Sequence, residues 1–485
     1  MIYFHKNILV IIQKLHLNCT FTQNFKMGFG VIDDDACQCI SSDIDYNSVP
    51  AANISYSKQY YEKIESTQAA NSGSIQFLLQ GNEKDFMSLQ ESFLYVRAKI
   101  LKSDKTSPPK PATAEGEIPD VSKVYPINYF IGSMFKNVKV FINGIRMSET
   151  NDLYAYKSYL EFLMSYDKSA VDNLGPVSMF YKDKNNYDLE YDNNGTKKEI
   201  TEITNNNNSG AYNRFVRTQY GKDFEMFGRI HNDFFNQSKL IPGDVKLAIE
   251  FDRSDEKFCI MAKDDDTDYT VSIQEVILFV KKYRLTDTAH QELTLARLEE
   301  NIPLKFPMRR VEMKYVTFGP NNAILQGNHI INNSELPKRV IIGLVHQDAF
   351  SGHYKYNPFH FQNFGVKELD LKMNDGGTPF YQYEIDYDND KFFMAYLALL
   401  KGSGQLFKNE SINITPAEFK KGCCLYAFDL TKNGIDSNTF ELRENGSLSF
   451  VIKLDKEKDH SIAAVIYLEF DSIMMILPNN IATLK

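Results

Sequence analysis

The chain has 485 residues, of which 43% are apolar and 13% are aromatic, with 35 Phe, 28 Tyr and no Trp. This length predicts two or three domains, and the many Phe and Tyr favour strands, where flat rings pack on a pleated surface. The net charge is −9, with Lys and Arg scattered among acidic residues. This distribution argues against direct or sequence-specific nucleic-acid binding, which uses a basic stripe or tail.

The first residues do not read as a membrane segment. The apolar stretch Ile8–Ile12 is interrupted by Gln13 and Lys14, so it is short for a signal-peptide core and far too short to span a bilayer. No later segment approaches a membrane span. We interpret residues 1–26 as a doubtful upstream extension that contributes nothing to the fold, and residues 27–69 as an N-terminal arm.

An internal repeat begins at residue 79. The segment Leu79–Asn82 reappears as Leu325–Asn328. Each copy is followed by an apolar stretch, Phe93–Ile100 in the first half and Val340–Val345 in the second. Repeats are informative because they decide the architecture of the whole chain.

The next block of the repeat is a strand, a turn and a helix. Val138–Ile142 alternates apolar and other residues, Asn143-Gly144 marks a tight turn, and Leu153–Leu163 has helical spacing. Leu369–Met373 and the helical stripe Phe392–Leu399 repeat this order, around a second turn at Asn374-Asp375-Gly376-Gly377. Residues that can cap the two predicted helices are Thr150, Asn151, Asp388 and Asn389.

The last blocks are strands. Val245–Phe251 and Leu448–Leu454 both alternate and both follow a turn. Each half then closes with a nearly continuous apolar run, Val276–Val280 and Val465–Phe470, which suggests burial on both faces. Four blocks in one order, with one helix at the same point, are a better sign of duplication than of chance.

Two long segments lengthen the first half. Ser103–Lys123 is rich in Pro and charge, and Lys182–Ser209 is rich in Asn, Asp and Tyr. Both compositions are typical of surface loops, so we expect these segments to project from the first barrel.

The halves are joined by a predicted helix, Thr286–Glu300, bounded by Pro303 and Pro307. Many short strands in each half, with one helix in a loop, predict an all-β fold: a tandem (double) jelly roll of two eight-stranded antiparallel barrels or sandwiches with short helices in loops. The predicted domains are residues 70–286 for the first jelly roll, 287–305 for the helical connector and 306–485 for the second jelly roll.

From about Met27 to the C-terminus, the sequence resembles the major capsid proteins of Polinton or Maverick elements and adintoviruses, within the double jelly-roll lineage. The most specific stretches are Phe224–Gln237, Phe306–Glu312, Glu335–Gly352 and Asn357–Phe361, with Cys37–Cys39 and Ser48–Pro50 resembling the family's arm. The chain departs from the family at Gln347-Asp348 and Gln362, which puts contacts between subunits in doubt rather than the core.

The resemblance implies a viral structural protein and no enzyme. It implies homotrimeric, pseudo-hexameric capsomers that tile an icosahedral shell, with penton and minor capsid proteins as further partners. The location it implies is the virion capsid, assembled in the cytoplasm or nucleus of the host cell. The alternative is a jelly-roll binding module, either lectin-like or cupin-like, which needs a concave site with convergent polar groups.

The candidate metal ligands are weak. His346, His353 and His360 recur every seven residues, but Gly352 and Pro358 break a helix there, and odd spacing on a strand alternates between faces. Asp264–Asp268 lacks the glycine and distal Glu of an EF-hand loop. We therefore expect no catalytic, cofactor-binding or metal-binding residues, and no cofactor.

Other residues suggest contacts or redox state. Tyr56, Tyr60 and Tyr61 lack the basic groove that nucleic-acid stacking needs, so we interpret them as arm residues that pack on a neighbour. Candidate contacts between chains are Asn363–Gly377 and the arm from Gly28 to Tyr61.

The spacing of the cysteines indicates free thiols in a reducing compartment: Cys19, Cys37, Cys39, Cys259, Cys423 and Cys424.

Overall fold

The computed structural model describes residues 46, 49, 52–71, 73–108, 123–148, 150–184, 187–190, 203–263, 267–298, 302–374, 381–432, 434, 439–478 and 481–484. The chain divides into two units, Met1–Ile54 and Ser55–Lys485, and every element below belongs to the second. Residues 1–45 lie outside the described residues, so the upstream extension and most of the arm stay predictions.

The first half contains ten strands: β1 (Tyr56–Glu65), β2 (Ile75–Leu79), β3 (Asp85–Lys102), β4 (Val124–Pro126), β5 (Phe135–Ile142), β6 (Ile145–Ser148), β7 (Phe224–Arg229), β8 (Leu247–Arg253), β9 (Ile260–Ala262) and β10 (Tyr269–Leu285). Its α-helices are α1 (Phe130–Ser133), α2 (Tyr154–Ser165), α3 (Lys168–Leu174), α4 (Ser209–Thr218), α5 (Asp233–Asn236) and α6 (Glu256–Cys259). The predicted connector helix is present as α7 (Asp287–Leu298).

The second half contains nine strands: β11 (Leu304–Phe318), β12 (Ile324–Glu335), β13 (Arg339–His346), β14 (Val366–Met373), β15 (Tyr381–Glu384), β16 (Leu425–Asp429), β17 (Asn445–Leu454), β18 (Ile462–Ile476) and β19 (Ala482–Leu484). Its helices are α8 (Gln347–Ser351), α9 (Phe393–Gly402) and α10 (Pro416–Lys420). These counts refer to the described ranges.

Each half folds into two four-stranded antiparallel sheets. The sheets are β1-β10-β3-β7 and β2-β8-β5-β6 in the first half, and β11-β18-β13-β16 and β12-β17-β14-β15 in the second. Without the short pair β4–β9 and the edge strand β19, the eight strands of either half follow the order 1-8-3-6 in one sheet and 2-7-4-5 in the other. This is the jelly-roll arrangement, so the predicted tandem jelly roll is confirmed.

The blocks of the sequence repeat occupy equivalent places. β8 and β17, which contain most of Val245–Phe251 and all of Leu448–Leu454, are the seventh strands of their halves and pair with the second and fourth strands. Helices α2 and α9 both follow the fifth strand. The duplication inferred from the sequence is therefore present in the fold.

The first jelly roll begins earlier than the predicted boundary at residue 70. Strand β1, assigned to the arm, pairs with β10 from Tyr56 opposite Leu285 to Glu65 opposite Ile277. It is an edge strand with mostly exposed side chains, so its sequence lacks the alternation of apolar residues that marks a half-buried strand.

The helices begin without the predicted caps. Leu153 and Phe392 occupy the N-cap positions of α2 and α9, and neither makes a side-chain cap. The hydroxyl of Thr150 instead donates to Asn137 Oδ1 at 2.8 Å and accepts from the backbone N–H of Val138. Thr150 thus binds residues near the start of β5 and does not cap α2.

The two closing apolar runs differ in burial. In β10, buried residues from Val276 to Val280 alternate with partly exposed ones, so only one face lies in the core. In β18, every residue from Ile462 to Phe470 is buried. The expectation of burial on both faces is therefore wrong for the first run. It is confirmed for the second run, because the sheet β11-β18-β13-β16 lies against the first half.

Candidate functional site: the junction between the two halves

Helix α2 is buried on all sides between the two jelly rolls, and all of its residues from Tyr154 to Met164 are buried. The ring of Tyr159 stacks on Phe359 of the second half with centroids 4.0 Å apart, and Tyr156 lies 5.7 Å from the rings of both Phe350 and Phe359. Aromatic pairs of this kind add about 0.5–1.5 kcal/mol each beyond the area they bury. The α2 helix is therefore the main apolar link between the halves.

The second half meets α2 with Phe350, Phe359 and Phe361, which follow β13 of the sheet β11-β18-β13-β16. All eight residues of β13 are buried, although only one face of a jelly-roll strand points into its own core. Gly343 on β13 makes room for this contact, because a Cβ there would lie 2.4 Å from the ring of Phe361. Phe361 in turn lies 6.3 Å from the ring of Tyr156.

Buried charges cross the same junction. Lys157 Nζ lies 2.5 Å from Asp233 Oδ1 and 3.8 Å from Glu161 Oε1, and Glu161 Oε2 lies 2.8 Å from His231 Nδ1. The second oxygen of Asp233 accepts the backbone N–H of Val311 in β11 at 3.2 Å. This cluster was not singled out from the sequence, where its signal is a Lys and a Glu four residues apart on a helix.

Burial and charge pairing oppose each other in this cluster, and at Asp233 burial outweighs Lys157 and raises the pKa of the carboxyl. Burial alone would lower the pKa of Lys157, but the carboxylates of Asp233 and Glu161 outweigh it and raise that pKa. Burial would raise the pKa of Glu161, but Lys157 and His231 outweigh it and lower that pKa. The cluster therefore stabilises the first half's side of the junction, where Asp233 also binds the Val311 N–H, and removing one partner would leave an unpaired buried charge.

A cavity of about 520 Å³ lies beside this cluster, between the halves. Its size suits a small-molecule site, but such sites are mostly apolar, whereas charged groups line this one. Those groups pair with each other: Arg339 forms an ion pair with Glu469, and Lys338 Nζ lies 3.0 Å from Asp471 Oδ2. Arg339 also donates to the carbonyl of Gly402 at 2.6 Å. The charged groups that line the cavity are therefore already paired, which favours a structural role for them over a ligand-binding site.

Part of the predicted surface loop Lys182–Ser209 is a buried strap across the junction. Asp188 contacts His360 Nδ1 with one carboxylate oxygen and accepts the backbone N–H of Asn357 with the other, at 2.6 Å. The Tyr187 ring stacks on His360 with centroids 4.8 Å apart. The expectation of a projecting loop is wrong for Tyr187–Glu190, because its polar residues pair with the second half instead of with water.

The described ends of the same segment are also anchored. Asp183 lies 2.9 Å from the fully buried Arg214, and Lys182 Nζ lies 2.8 Å from Glu418 Oε2 in the second half. In the other long segment, residues 103–107 are exposed as expected, but Lys123 is buried and donates to the carbonyl of Ile203 at 3.0 Å. Polar composition predicted solvent exposure in both segments, whereas several of their charges are paired and buried.

The three histidines at seven-residue spacing lie in different surroundings. His346 stacks on His460 with ring centroids 4.6 Å apart, His353 is half-buried, and His360 faces Asp188. Burial, followed by the nearby His460, lowers the pKa of His346 to about 4. Within the described ranges, His, Cys, Asp and Glu form no group of three or more that could hold a metal ion. Residues 264–266 of the acidic run lie outside those ranges.

The tyrosines of the predicted arm belong to β1 and pack on their own chain. The rings of Tyr56 and Tyr283 are 5.1 Å apart, and Tyr60 donates to Asp85 Oδ2 at 3.1 Å. Tyr61 lies 5.6 Å from Phe93 and remains 47% exposed. The rest of the arm contact, from Gly28 to Asp45, falls outside the described residues.

In the described part of Asn363–Gly377, residues 363–374, the apolar side chains pack in their own jelly roll. Most of this part forms β14, in the middle of the second sheet of its half, and Phe364, Leu369 and Leu371 are buried in the core. Its apolar residues therefore do belong to the strand pattern, so the reason for expecting a contact between chains is wrong, and the contact itself stays a prediction.

Three cysteines are described, and Cys259, Cys423 and Cys424 are all buried free thiols. Burial raises the pKa of Cys259 and of Cys423 to about 12. Because the thiolate is the reactive form, these residues behave as small apolar side chains. Cys19, Cys37 and Cys39 lie outside the described ranges.

No protein-family model matches the chain. Among curated proteins, the uncharacterized protein F54H12.2 of Caenorhabditis elegans is 25% identical over 416 residues, covering 83% of this chain and 91% of that protein. None of the helices in the described part of the chain is long and apolar enough to cross a membrane.

Solved structures share the fold over nearly the whole length. A chain in the structure of the Sputnik virophage matches with a TM-score of 0.58 and 12% identity, covering 95% of this chain and 94% of that chain. The Faustovirus major capsid protein matches with a TM-score of 0.50, 11% identity and coverage of 91% and 95%. The mavirus major capsid protein matches with a TM-score of 0.50, 11% identity and coverage of 94% and 97%. The fold is a double jelly roll.

Proposed function

We propose that the chain is a viral major capsid protein, whose homotrimers are pseudo-hexameric capsomers of an icosahedral shell. The observation that carries the proposal is the tandem of two jelly rolls with the same strand order, joined through the buried helix α2. The likeness to solved proteins that are named major capsid proteins supports it, since the match spans over nine-tenths of this chain.

Two similar jelly rolls within Ser55–Lys485 give the trimer a physical basis. The strap Tyr187–Glu190 and the hydrogen bond from the Val311 N–H to Asp233 join the two jelly rolls, so they act as one block. Three such blocks in a closed ring present six similar lobes, which suits hexagonal packing. The number three itself comes from the resemblance to the Polinton, Maverick and adintovirus capsid proteins, and we propose that lineage for the chain.

The same proposal gives the chain a structural rather than an enzymatic role. Its partners are other copies, followed by penton and minor capsid proteins, and its location is the virion, after assembly in the host cytoplasm or nucleus. We also retain the division into an arm, a first jelly roll, the connector 287–305 and a second jelly roll, with β1 assigned to the first jelly roll.

A lectin-like or cupin-like binding module is the second candidate. The junction cavity of about 520 Å³ is the feature that favours it. The ion pairs across its lining count against it, because a ligand would have to replace Arg339–Glu469 or Lys338–Asp471.

Electron microscopy of the purified full chain tests the proposal. We expect particles with a hexagonal outline, and closed shells or flat hexagonal arrays at higher protein concentration. Compact two-lobed particles under every condition would contradict the capsid function and favour the binding module.

A further inference from the structure

Helix α9 of the second half has an apolar face that points away from its own jelly roll. Ala395 and Leu399 are buried, whereas Phe393, Met394 and Leu397 are 57%, 71% and 38% exposed. The last three residues lie on one side of the helix, because positions i and i+4 share a face and i+1 adjoins it. We call them the helix face. Exposed apolar residues that cluster in this way mark contact surfaces.

The equivalent helix of the first half shows what covers such a face. Helix α2 follows the fifth strand, as α9 does, and Tyr156 of α2 packs on Phe361, whose ring lies over Gly343 of β13 in the sheet β11-β18-β13-β16. The equivalent sheet of the first half is β1-β10-β3-β7, which has the same strand order. Its outer face therefore corresponds to the surface that receives α2.

That outer face carries a group of aromatic rings that we call the aromatic face. The rings of Phe93 and Phe279 stack with centroids 4.9 Å apart, Phe93 lies 5.6 Å from Tyr61 and 6.0 Å from Phe227, and Tyr95 lies 4.9 Å from Phe227. Tyr61 is exposed and the other four are partly exposed. On β13 and on Ile462–Phe470 of β18, which occupy the places of β3 and β10, the residues of both faces are buried.

We propose that the helix face of one copy docks on the aromatic face of the next copy, so that the junction inside the chain is repeated between chains. The partner is a second copy because the two surfaces stand in the same relation as α2 and the sheet that covers it. Apolar burial drives the contact, and Met394 adds the favourable packing of a thioether on aromatic rings.

This contact is head-to-tail, with different surfaces on the two copies, so it does not stop at a dimer, and the proposed trimer requires that the rotation between copies closes it into a ring. The inference rests on the proposed function and deepens it, because it identifies the surfaces that close the capsomer.

Paired variants of the full chain test the contact. The helix variant carries Met394→Asp and Leu397→Asp, and the aromatic variant carries Tyr61→Asp and Tyr95→Asp. A control variant with two equally charged substitutions, Leu78→Asp and Ile324→Asp, changes exposed residues of the other two sheets, which are 56% and 54% exposed. Circular dichroism establishes that each variant is folded, and Tyr61→Asp alone replaces the aromatic variant if the double change does not fold.

Sedimentation velocity then measures the mass of each protein at the concentration at which the wild type assembles. We expect the control to assemble as the wild type does, and the helix and aromatic variants each to be monomers. A mixture of the two variants retains one intact pair of surfaces, so we expect it to form a dimer containing one copy of each and to grow no further.

The outcomes separate this inference from the proposed function. A wild type that assembles together with a helix variant that assembles equally well would overturn the contact while leaving the capsid function standing. An aromatic variant that assembles normally would mean that the helix face meets another occupant, such as a second helix face or the arm, and would also overturn it. A wild type that stays monomeric in all conditions would contradict the proposed function itself.

Discussion

Asp188 of the first jelly roll and His360 of the second face each other across the junction, and each residue is only 1% exposed. The pair joins two lobes that otherwise have separate sheets. It also places part of a long polar segment in the interior, since the same carboxylate accepts the backbone N–H of Asn357. A surface loop has thereby become part of the link between the lobes.

Replacing Asp188 with Ala should lower the free energy of unfolding by about 3 kcal/mol, because it leaves His360 and the Asn357 N–H without their buried acceptor. Chemical denaturation measures the change. Asp172→Ala, at an exposed position of α3, is the control and should stay within about 0.5 kcal/mol of the wild type. Equal stability of the two variants would show that the strap contributes nothing.

Leu247→Asp should destabilise the first jelly roll by several kcal/mol, or prevent its folding. Leu247 in β8 is 2% exposed, so the substitution buries an unpaired charge in the core. Leu78→Asp, on the neighbouring strand β2, is the matched control because Leu78 is 56% exposed. Thermal unfolding and soluble yield are the measurements. A normal melting temperature for Leu247→Asp would refute the assignment of core and surface faces in this sheet.

Acid should weaken the second jelly roll through His346. Its pKa is lowered from 6.5 to about 4 by burial, then by His460, with Asp348 opposing the shift. Between these values the unfolded chain binds a proton that the folded chain does not, so stability is present above pH 6.5 and is lost as the pH falls toward 4. At pH 5 the loss is about 2 kcal/mol relative to pH 7.

His346→Asn removes this titration and keeps a side-chain acceptor for the N–H of Asp348, which His346 Nδ1 accepts at 3.2 Å. The fall in unfolding free energy between pH 7 and pH 5 should therefore be smaller for this variant by about 2 kcal/mol. His353→Asn serves as the control, since His353 is only half-buried. An identical fall in the wild type and in His346→Asn would exclude His346 as the source.

The strands of both jelly rolls were predictable where one face is apolar. Alternation located Val138–Ile142 and Leu448–Leu454 because a half-buried strand needs a period of two. It missed β1 because an edge strand is held by its backbone, and its exposed side chains follow no apolar pattern. For Tyr187–Glu190 the polar composition of the segment gave a wrong prediction of exposure. A charged side chain is exposed when water solvates it, but here Asp188 is solvated by polar groups of the second half.

The junction was less predictable than the barrels. Lys157 and Glu161 lie four residues apart, but their spacing alone is equally typical of a solvated helix face. Their burial depends on Asp233 and on the sheet of the second half, which are distant in sequence. Similarly, Asn363–Gly377 was predicted as a contact between chains although Leu369–Met373 already had the pattern of a strand, because the place of that strand in the sheet depends on its partner β17, which is distant in sequence.

The proposed function requires the chain to assemble as a homotrimeric building block of a capsid. Size-exclusion chromatography with light scattering, on the purified full chain at micromolar concentration, measures the number of chains directly. With a chain mass of 55.8 kDa, we expect a species of three chains, and larger assemblies as the concentration rises. A single species with the mass of one chain, at every salt concentration and pH tested, would contradict it.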